Sequence, residues 1–278
     1  MAAPAYPLRL PAGAAQPLIT LTKPTASVWQ LELHSTPDNR ITRALVEDAL
    51  KPALDAVERE WRAASRAAKA PKKLGAEGAL VIVGRRGQEK FFSNGFDYES
   101  VIADPNWFPV VFNPLLARLI TFPIPTVAAI NGHCFAAGLI LSLACDYRVF
   151  TSDASPKRNA WLCMNEVHFG APWPLAFAAL LRAKVRDARV QRRVALEGHR
   201  FTPAQALEAG LVDEVVEGGT EAVLGRAVAL AGAQAGNARL GAWGLIRGEV
   251  HRDVVEATKL DYRAVHPAHD DAAAKARL

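Results

Sequence analysis

A chain of 278 residues, half of them hydrophobic, is long enough to bury a sizeable core as one large domain or one domain with an appendage. Charges interrupt its apolar runs, so no membrane span is expected and the composition suits a soluble enzyme. The net charge of +5 and pI near 9.2 would serve an anionic ligand, but no zinc-finger spacing, aromatic RNA-binding motif or basic-region heptad accompanies them, which argues against a nucleic-acid partner.

The opening MAAPAYPLRLPAGAAQP is rich in Ala and Pro and lacks a basic stretch leading into an apolar core, so residues 1–17 read as a loose tail and not a signal peptide. Residues 18–23 and 27–34 read as short strands around a turn at Pro24. A helical region is predicted over 41–68, broken or kinked near Pro52, with Ile41, Leu45, Ala49, Val57 and Trp61 on an intermittent apolar face. Residues 70–75 break that helix before a buried strand at 79–83, a turn at 84–87 and an exit loop at 91–97. Another helix fits 108–121, interrupted or capped around Pro114, and a strand fits 126–130. Strands near 147–150 and 161–163 follow, then mostly helices from Pro174, with the Arg-rich 182–193 read as solvated helix faces. The alternation indicates an α/β core, residues 1–200, followed by a helical C-terminal region, 201–278. The boundary is set by FTPAQALEAGL, where Thr202 can cap a helix and Pro203 occupies its first position.

Residues 130–150, INGHCFAAGLILSLACDYRVF, join a strand end, a small-residue turn and an apolar helix without a break. Ala136, Ala137 and Gly138 admit two readings: they let a buried helix pack closely on a sheet, or they let a ligand approach a bare backbone N–H at a helix start. In the second reading the glycine turn at 84–97 could supply another donor, completing an oxyanion hole. The three cysteines, Cys134, Cys145 and Cys163, lie in or beside apolar segments and read as buried, reduced thiols. Cys134 adjoins His133, but neighbours in sequence rarely point at each other for proton transfer. No CxxC or HExxH spacing supports a metal site.

FFSNGFD at 91–97, followed about forty residues later by INGHCFAAGLILSLACDYRVF, resembles the crotonase (enoyl-CoA hydratase/isomerase) superfamily. The resemblance runs from residue 28 to 216 and includes ARVQRRVALEGHRFTPAQALEAGLVDEVV. The run MNEVHFG at 164–170 most resembles the Δ3,Δ2-enoyl-CoA isomerases of plants and fungi. The resemblance implies a spiral of ββα units with a C-terminal helical region that forms trimers, hence a homotrimer or dimer of trimers. It also implies an acyl-CoA substrate, coenzyme A being part of the substrate and no separate cofactor being needed. Carried over, the oxyanion donors are the amides of Phe96 and Ala137, and the coenzyme-binding positions are Asn39, Arg40, Ile41, Gly95, Asp97 and Gly138, with Arg40 set to meet a phosphate.

Taking a proton next to a thioester carbonyl needs a base, and the resemblance assigns it to Glu166, whose neighbours Met164, Val167 and Phe169 can desolvate it and raise its pKa. Asn165 and His168 are weaker candidates. Hydratases of this type carry a second glutamate three residues after the motif-turn donor; here that residue is Ile140, while Asp146 lies past the helix, where it caps or pairs with Arg148. One glutamate suffices for an allylic shift of 3-enoyl-CoA to 2-trans-enoyl-CoA, as in the β-oxidation of unsaturated fatty acids. The alternatives are a hydratase, dienoyl-CoA isomerase, thioesterase or lyase on the same fold, or a non-catalytic acyl-CoA-binding relative. Phe91 and Phe92 are read as core, while Trp107, Phe112 and Leu116 fit either an acyl tunnel or an ordinary core face. The terminal Ala276, Arg277 and Leu278 resemble the SKL address, so a peroxisomal matrix location and recognition by the import receptor are expected, with the cytoplasm as alternative.

Overall fold

Runs that are apolar at every position suit strands covered on both faces. The computed structural model, which describes residues 5–68, 75–88, 90–152, 160–260 and 267–277, builds ALVIV at 79–83 so. Seven strands form one sheet in the order β1 (Leu8–Leu10), β2 (Ile19–Thr22), β3 (Val28–Leu33), β4 (Ala79–Val83), β6 (Thr126–Ile130), β8 (Tyr147–Thr151), β10 (Glu214–Val216). Pairing is antiparallel from β1 to β3 and parallel beyond. A second parallel sheet holds β5 (Phe91–Ser93), β7 (His133–Phe135) and β9 (Leu162–Cys163). The chain alternates between the sheets, β4 to β5, β6 to β7 and β8 to β9, with helices between successive pairs, which is the ββα spiral.

Period-two alternation decides what each strand touches. Leu80 and Ile82 of β4 join the main core with Trp29, Leu31, Ala128 and Ile130, while Val81 and Val83 face the other way with Val28, Val127 and Val149. That second face is covered by α8 (Thr220–Gln234) through Val223, Leu224, Ala227 and Ala231. This helix of the C-terminal region, which the resemblance implies forms trimers, therefore buries Val223, Leu224, Ala227 and Ala231 inside its own chain. Residues beyond 200 also supply β10 to the main sheet. Thr202 caps α7 (Pro203–Glu208) as predicted, in a reciprocal capping box with Gln205.

The helical run continues past Pro52, whereas Pro114 sits in the first turn of its α-helix, as the expected capping there has it. α1 (Lys51–Ala68) and α3 (Asn113–Ile120) are each preceded by a π-helical stretch, Leu45–Leu50 and Trp107–Phe112, with Lys51 N–H bonded to Val46 O and Asn113 N–H to Phe108 O. The wider turn accommodates Pro52 and Pro114, whose rings would crowd the carbonyl four residues back and which bring no N–H. Ile41 lies outside the helix and bridges to Phe96.

The opening segment corrects the expectation of a loose tail from residue 5 onward: β1 pairs with β2 at the sheet edge and the Tyr6 hydroxyl donates to Glu60. Pro7 and Pro11 flank β1, as an edge strand tolerates. The predicted break at 70–75, apart from Gly75, and Leu278 of the terminal tripeptide fall outside the described residues. Among the described residues no helix is long and apolar enough to cross a membrane.

Candidate active site

Two turns meet at the ends of β5 and β7. Gly95 has φ +79°, a left-handed conformation that glycine adopts without cost, and a methyl there would come 2.7 Å from the Ala136 Cβ and 3.3 Å from the Ala137 nitrogen. Gly138, in the first turn of α4 (Ala137–Leu143), fits against β5 so tightly that a methyl would lie 2.7 Å from Ser93 O. Between them Ala136 holds φ +50°, ψ −127°, a strained geometry for alanine, fixed by its N–H donating to Cys163 O at 2.8 Å. Among the described residues the amides of Phe96 and Ala137 donate to no protein acceptor.

A brace behind the Gly95 turn fixes it. Asn39, 1% exposed with φ +54°, donates to Phe92 O at 3.1 Å, and its carbonyl accepts from Ser93 Oγ at 2.7 Å. Ile41 N–H donates to Gly95 O at 2.7 Å, and Asn94 Nδ2 to Asp38 Oδ2 at 2.7 Å. Arg40 donates from Nη1 to Phe96 O and from Nε to Asp38, each at 3.3 Å. The loop that the resemblance sets beside the coenzyme thus also holds the peptide carrying one candidate donor.

Glu166 opens a single 3₁₀ turn, Glu166–Phe169, just past β9, closed by Gly170 in the left-handed region. Its side chain is buried, and among the described residues its Oε2 has no protein partner. Burial pushes its pKa from the ordinary 4.5 up to about 7, only partly offset by its own backbone N–H and the Trp173 side chain. A cavity of about 490 Å³ is lined by Arg40, Phe96, Ala136, Glu166, Trp173 and Phe177 among others. Its apolar wall includes Phe96, Phe108 and Phe177, with the Phe108 ring edge-to-face with Phe96 at 5.8 Å and with Phe177 at 6.0 Å between centroids. Asp104 also reaches the lining, but its ion pair with Arg43 holds its carboxyl below the usual range.

The structure thus brings Phe96, the Ala136 to Ala137 peptide, Glu166 and Arg40 together. Gly95 supports them from behind. Asn39, Ile41, Asp97 and Gly138 do not reach the cavity lining, because the first two and Gly138 are buried in packing and Asp97 precedes α2 (Tyr98–Ala103), its carboxylate accepting from Ser100 Oγ at 2.5 Å. Trp107, Phe112 and Leu116 form a core face, each 1% exposed and off the cavity. His168 turns away, its Nε2 3.1 Å from Glu197 O, whereas Asn165 lines the cavity. Asp146 pairs with Arg247 at 2.7 Å and not with Arg148, whose guanidinium meets Asp213 at 2.9 Å. The cysteines are free and buried, with burial pushing Cys145 and Cys163 up to about 11. Asp104 escaped sequence reasoning, and so did Asn113, which lines the cavity, 4% exposed, with no partner for its Oδ1 among the described residues. Its signal was a lone amide on an otherwise apolar helical face.

A base with a pKa near 7 makes a signed prediction. If Glu166 takes the proton, kcat/KM should rise with pH through about 7 and level off above it, read from a pH–rate profile. Stability moves oppositely. The folded carboxyl holds its proton up to about 7 and the unfolded one only to about 4.5, so the contribution is complete below 4.5 and is lost as pH rises through 7.

The enoyl-CoA hydratase/isomerase family model matches residues 69–261, and the chain belongs to that family. Among the curated relatives it matches are two from Arabidopsis thaliana. Enoyl-CoA delta isomerase 3 is 34% identical over 166 residues, 57% of this chain and 67% of that protein. Peroxisomal enoyl-CoA delta isomerase 2 is 35% identical over 168 residues, with the same coverage. Mitochondrial enoyl-CoA delta isomerase 1 of Mus musculus is 39% identical over a shorter stretch, 37% of this chain and 34% of that protein. The fold matches an enoyl-CoA hydratase from Mycobacterium marinum, with a TM-score of 0.71 and 24% identity over 87% of this chain and 95% of that one.

Proposed function

We propose that this chain is a Δ3,Δ2-enoyl-CoA isomerase that uses Glu166 as its one base and the amides of Phe96 and Ala137 as its oxyanion hole. The observation that carries the reading is Glu166 itself, a buried carboxylate on the cavity with an unpartnered oxygen and a pKa near 7. The carboxylate takes a proton from C2 of a 3-enoyl thioester, and the electron pair moves onto the thioester oxygen, where two N–H groups stabilise it. The enolate then collapses, the double bond forms between C2 and C3, and the protonated Glu166 returns its proton at C4. A pKa near neutrality suits both halves, since the group must gain and lose the same proton.

Water addition has less support. Ile140, at the position where hydratases carry their second glutamate, is 1% exposed in the core and off the cavity lining, and Asp104 is tied to Arg43. Peroxisomal location is supported by relatives named peroxisomal, and a trimer remains our proposed assembly. Incubation with 3-enoyl-CoA, 2-enoyl-CoA and saturated acyl-CoA tests the activity. The expected product is 2-trans-enoyl-CoA from the first, only the small equilibrium share of 3-enoyl-CoA from the second and none from the third; 3-hydroxyacyl-CoA or free acid as main product would replace this reading with hydration or thioester hydrolysis.

A further inference from the structure

The far end of α4 is held as deliberately as its near end. α9 (Trp243–Val250) reaches it because Gly244 packs on the chain at 121–123, where a methyl would come 2.7 Å from Thr121 O. From α9, Arg247 enters the core, 6% exposed, with two of its nitrogens hydrogen-bonded and the third in an ion pair. Nη2 donates to Ala144 O, the C-cap of α4, and Nη1 to Leu119 O at 2.8 Å. Nε lies 2.7 Å from Asp146 Oδ1, an ion pair in which the N–H is not aimed at the oxygen. Asp146 in turn accepts from both the N–H and the hydroxyl of Thr126 at the start of β6, each at 2.8 Å.

Two further cations converge there. Arg148 of β8 and Lys184, the last residue of α5 (Leu175–Lys184), each donate to Cys145 O at 3.2 Å. Three cations thus cap the last two carbonyls after a seven-residue helix that is buried throughout. Burying so much like charge is unfavourable unless the partners are well placed, and the helix end supplies oriented carbonyl oxygens and a partial negative charge. Arg148 is chiefly tied elsewhere, to Leu211 O and Asp213, and Lys184 offers one contact. Among the described residues Arg247 alone joins the ends of α3 and α4 to the Asp146 link with β6.

We propose that Arg247 is a positioning residue for the oxyanion hole, clamping the C-terminal end of α4 and so fixing the Ala137 amide at the other end, roughly 10 Å away at 1.5 Å per residue. The inference rests on Ala137 being a donor. Every residue of α4 is buried and Gly138 abuts Ser93, so a displacement at Ala144 passes along the helix and is not absorbed by loose packing. Misplacing a catalytic group by about 1 Å costs on the order of 100-fold in rate.

The test compares the full chain with Arg247→Met, Arg247→Lys and Asp146→Asn, each assayed well below its own melting temperature. Arg247→Lys keeps the charge but loses the forked contacts, and Asp146→Asn keeps the volume but removes the counter-charge. Three readouts are taken: kcat, the Kd of a saturated acyl-CoA, and the thioester C=O stretch of bound 2-trans-hexenoyl-CoA by difference infrared spectroscopy. For every variant that folds, the expected result is a kcat lower by about 10-fold or more, with Kd within about 3-fold and the C=O stretch shifted back toward its solution value. Arg247→Lys should sit between the parent and Arg247→Met. A folded variant with parental kcat and parental C=O stretch overturns the proposal, as does a loss of affinity equal to the loss of rate. If Gly95→Ala also left turnover unchanged, the oxyanion-hole reading itself would fall; if it abolished turnover while these variants did not, only the clamp would.

Discussion

Glu166→Gln is expected to bind acyl-CoA about as tightly as the parent while isomerising 3-enoyl-CoA at least ~100-fold more slowly, the low end for a positioned general base. Glutamine keeps the shape and can still accept from Trp173, but it cannot take the C2 proton. The same substitution should stabilise the fold in alkaline solution. A carboxyl whose pKa is moved from 4.5 to about 7 disfavours the folded state of its charged form by about 3 kcal/mol, to order of magnitude, and glutamine carries no such charge. Thermal melts should therefore show Glu166→Gln above the parent at pH 8, with the gap narrowing toward pH 5, where the parent's carboxyl is protonated. Loss of rate with gain of stability is the signature of a strained functional group. Parental turnover by the Gln variant would remove Glu166 from the mechanism.

The parts of the fold legible in the sequence are those where a physical pattern is continuous. β4 is apolar at every position, β6 is apolar after Thr126, α4 is apolar but for Ser142, and Thr202 with Pro203 announces α7. The second sheet was not legible as a sheet: β5, β7 and β9 are two or three residues long, too short for alternation to show, and read as an exit loop, part of the motif turn and an isolated strand. β1 is a three-residue edge strand between prolines, and α2 is six residues with one buried side chain. Glu166 was legible through the family resemblance, but of the flanking hydrophobes expected to desolvate it only Met164 is buried, whereas Val167 and Phe169 are 46% and 47% exposed. Asn39 was misread for a physical reason: a polar loop residue is ordinarily solvated, and only the fold shows its amide turned inward to the carbonyls of β5. Arg247 was invisible, since nothing in WGLIRGEV says that the one arginine faces the core.

Gly95→Ala should cost at least ~100-fold in kcat/KM, the loss typical of removing one oxyanion-hole donor, although it adds one methyl and touches no titratable group. Two effects compound. Alanine in the left-handed region is disfavoured by roughly 1–2 kcal/mol, which by itself lowers stability and not turnover. The added methyl at 2.7 Å from the Ala136 Cβ has no room, and what must yield is the Ala136 to Ala137 peptide, already held at positive φ, or the Gly95 turn stapled by Asn39 and Ile41. Either movement separates the Phe96 and Ala137 amides. Gly210→Ala separates the two effects, because Gly210 shares the left-handed conformation with φ +67°, has open space where its methyl would go, and lies just past α7. Gly210→Ala should lose comparable backbone stability and retain parental kcat/KM, while Gly95→Ala, assayed at a temperature where both are folded, should lose turnover with Glu166 intact. If both variants turn over alike, the contact between the two turns does not serve the chemistry, and the donors must be sought at other amides along the cavity.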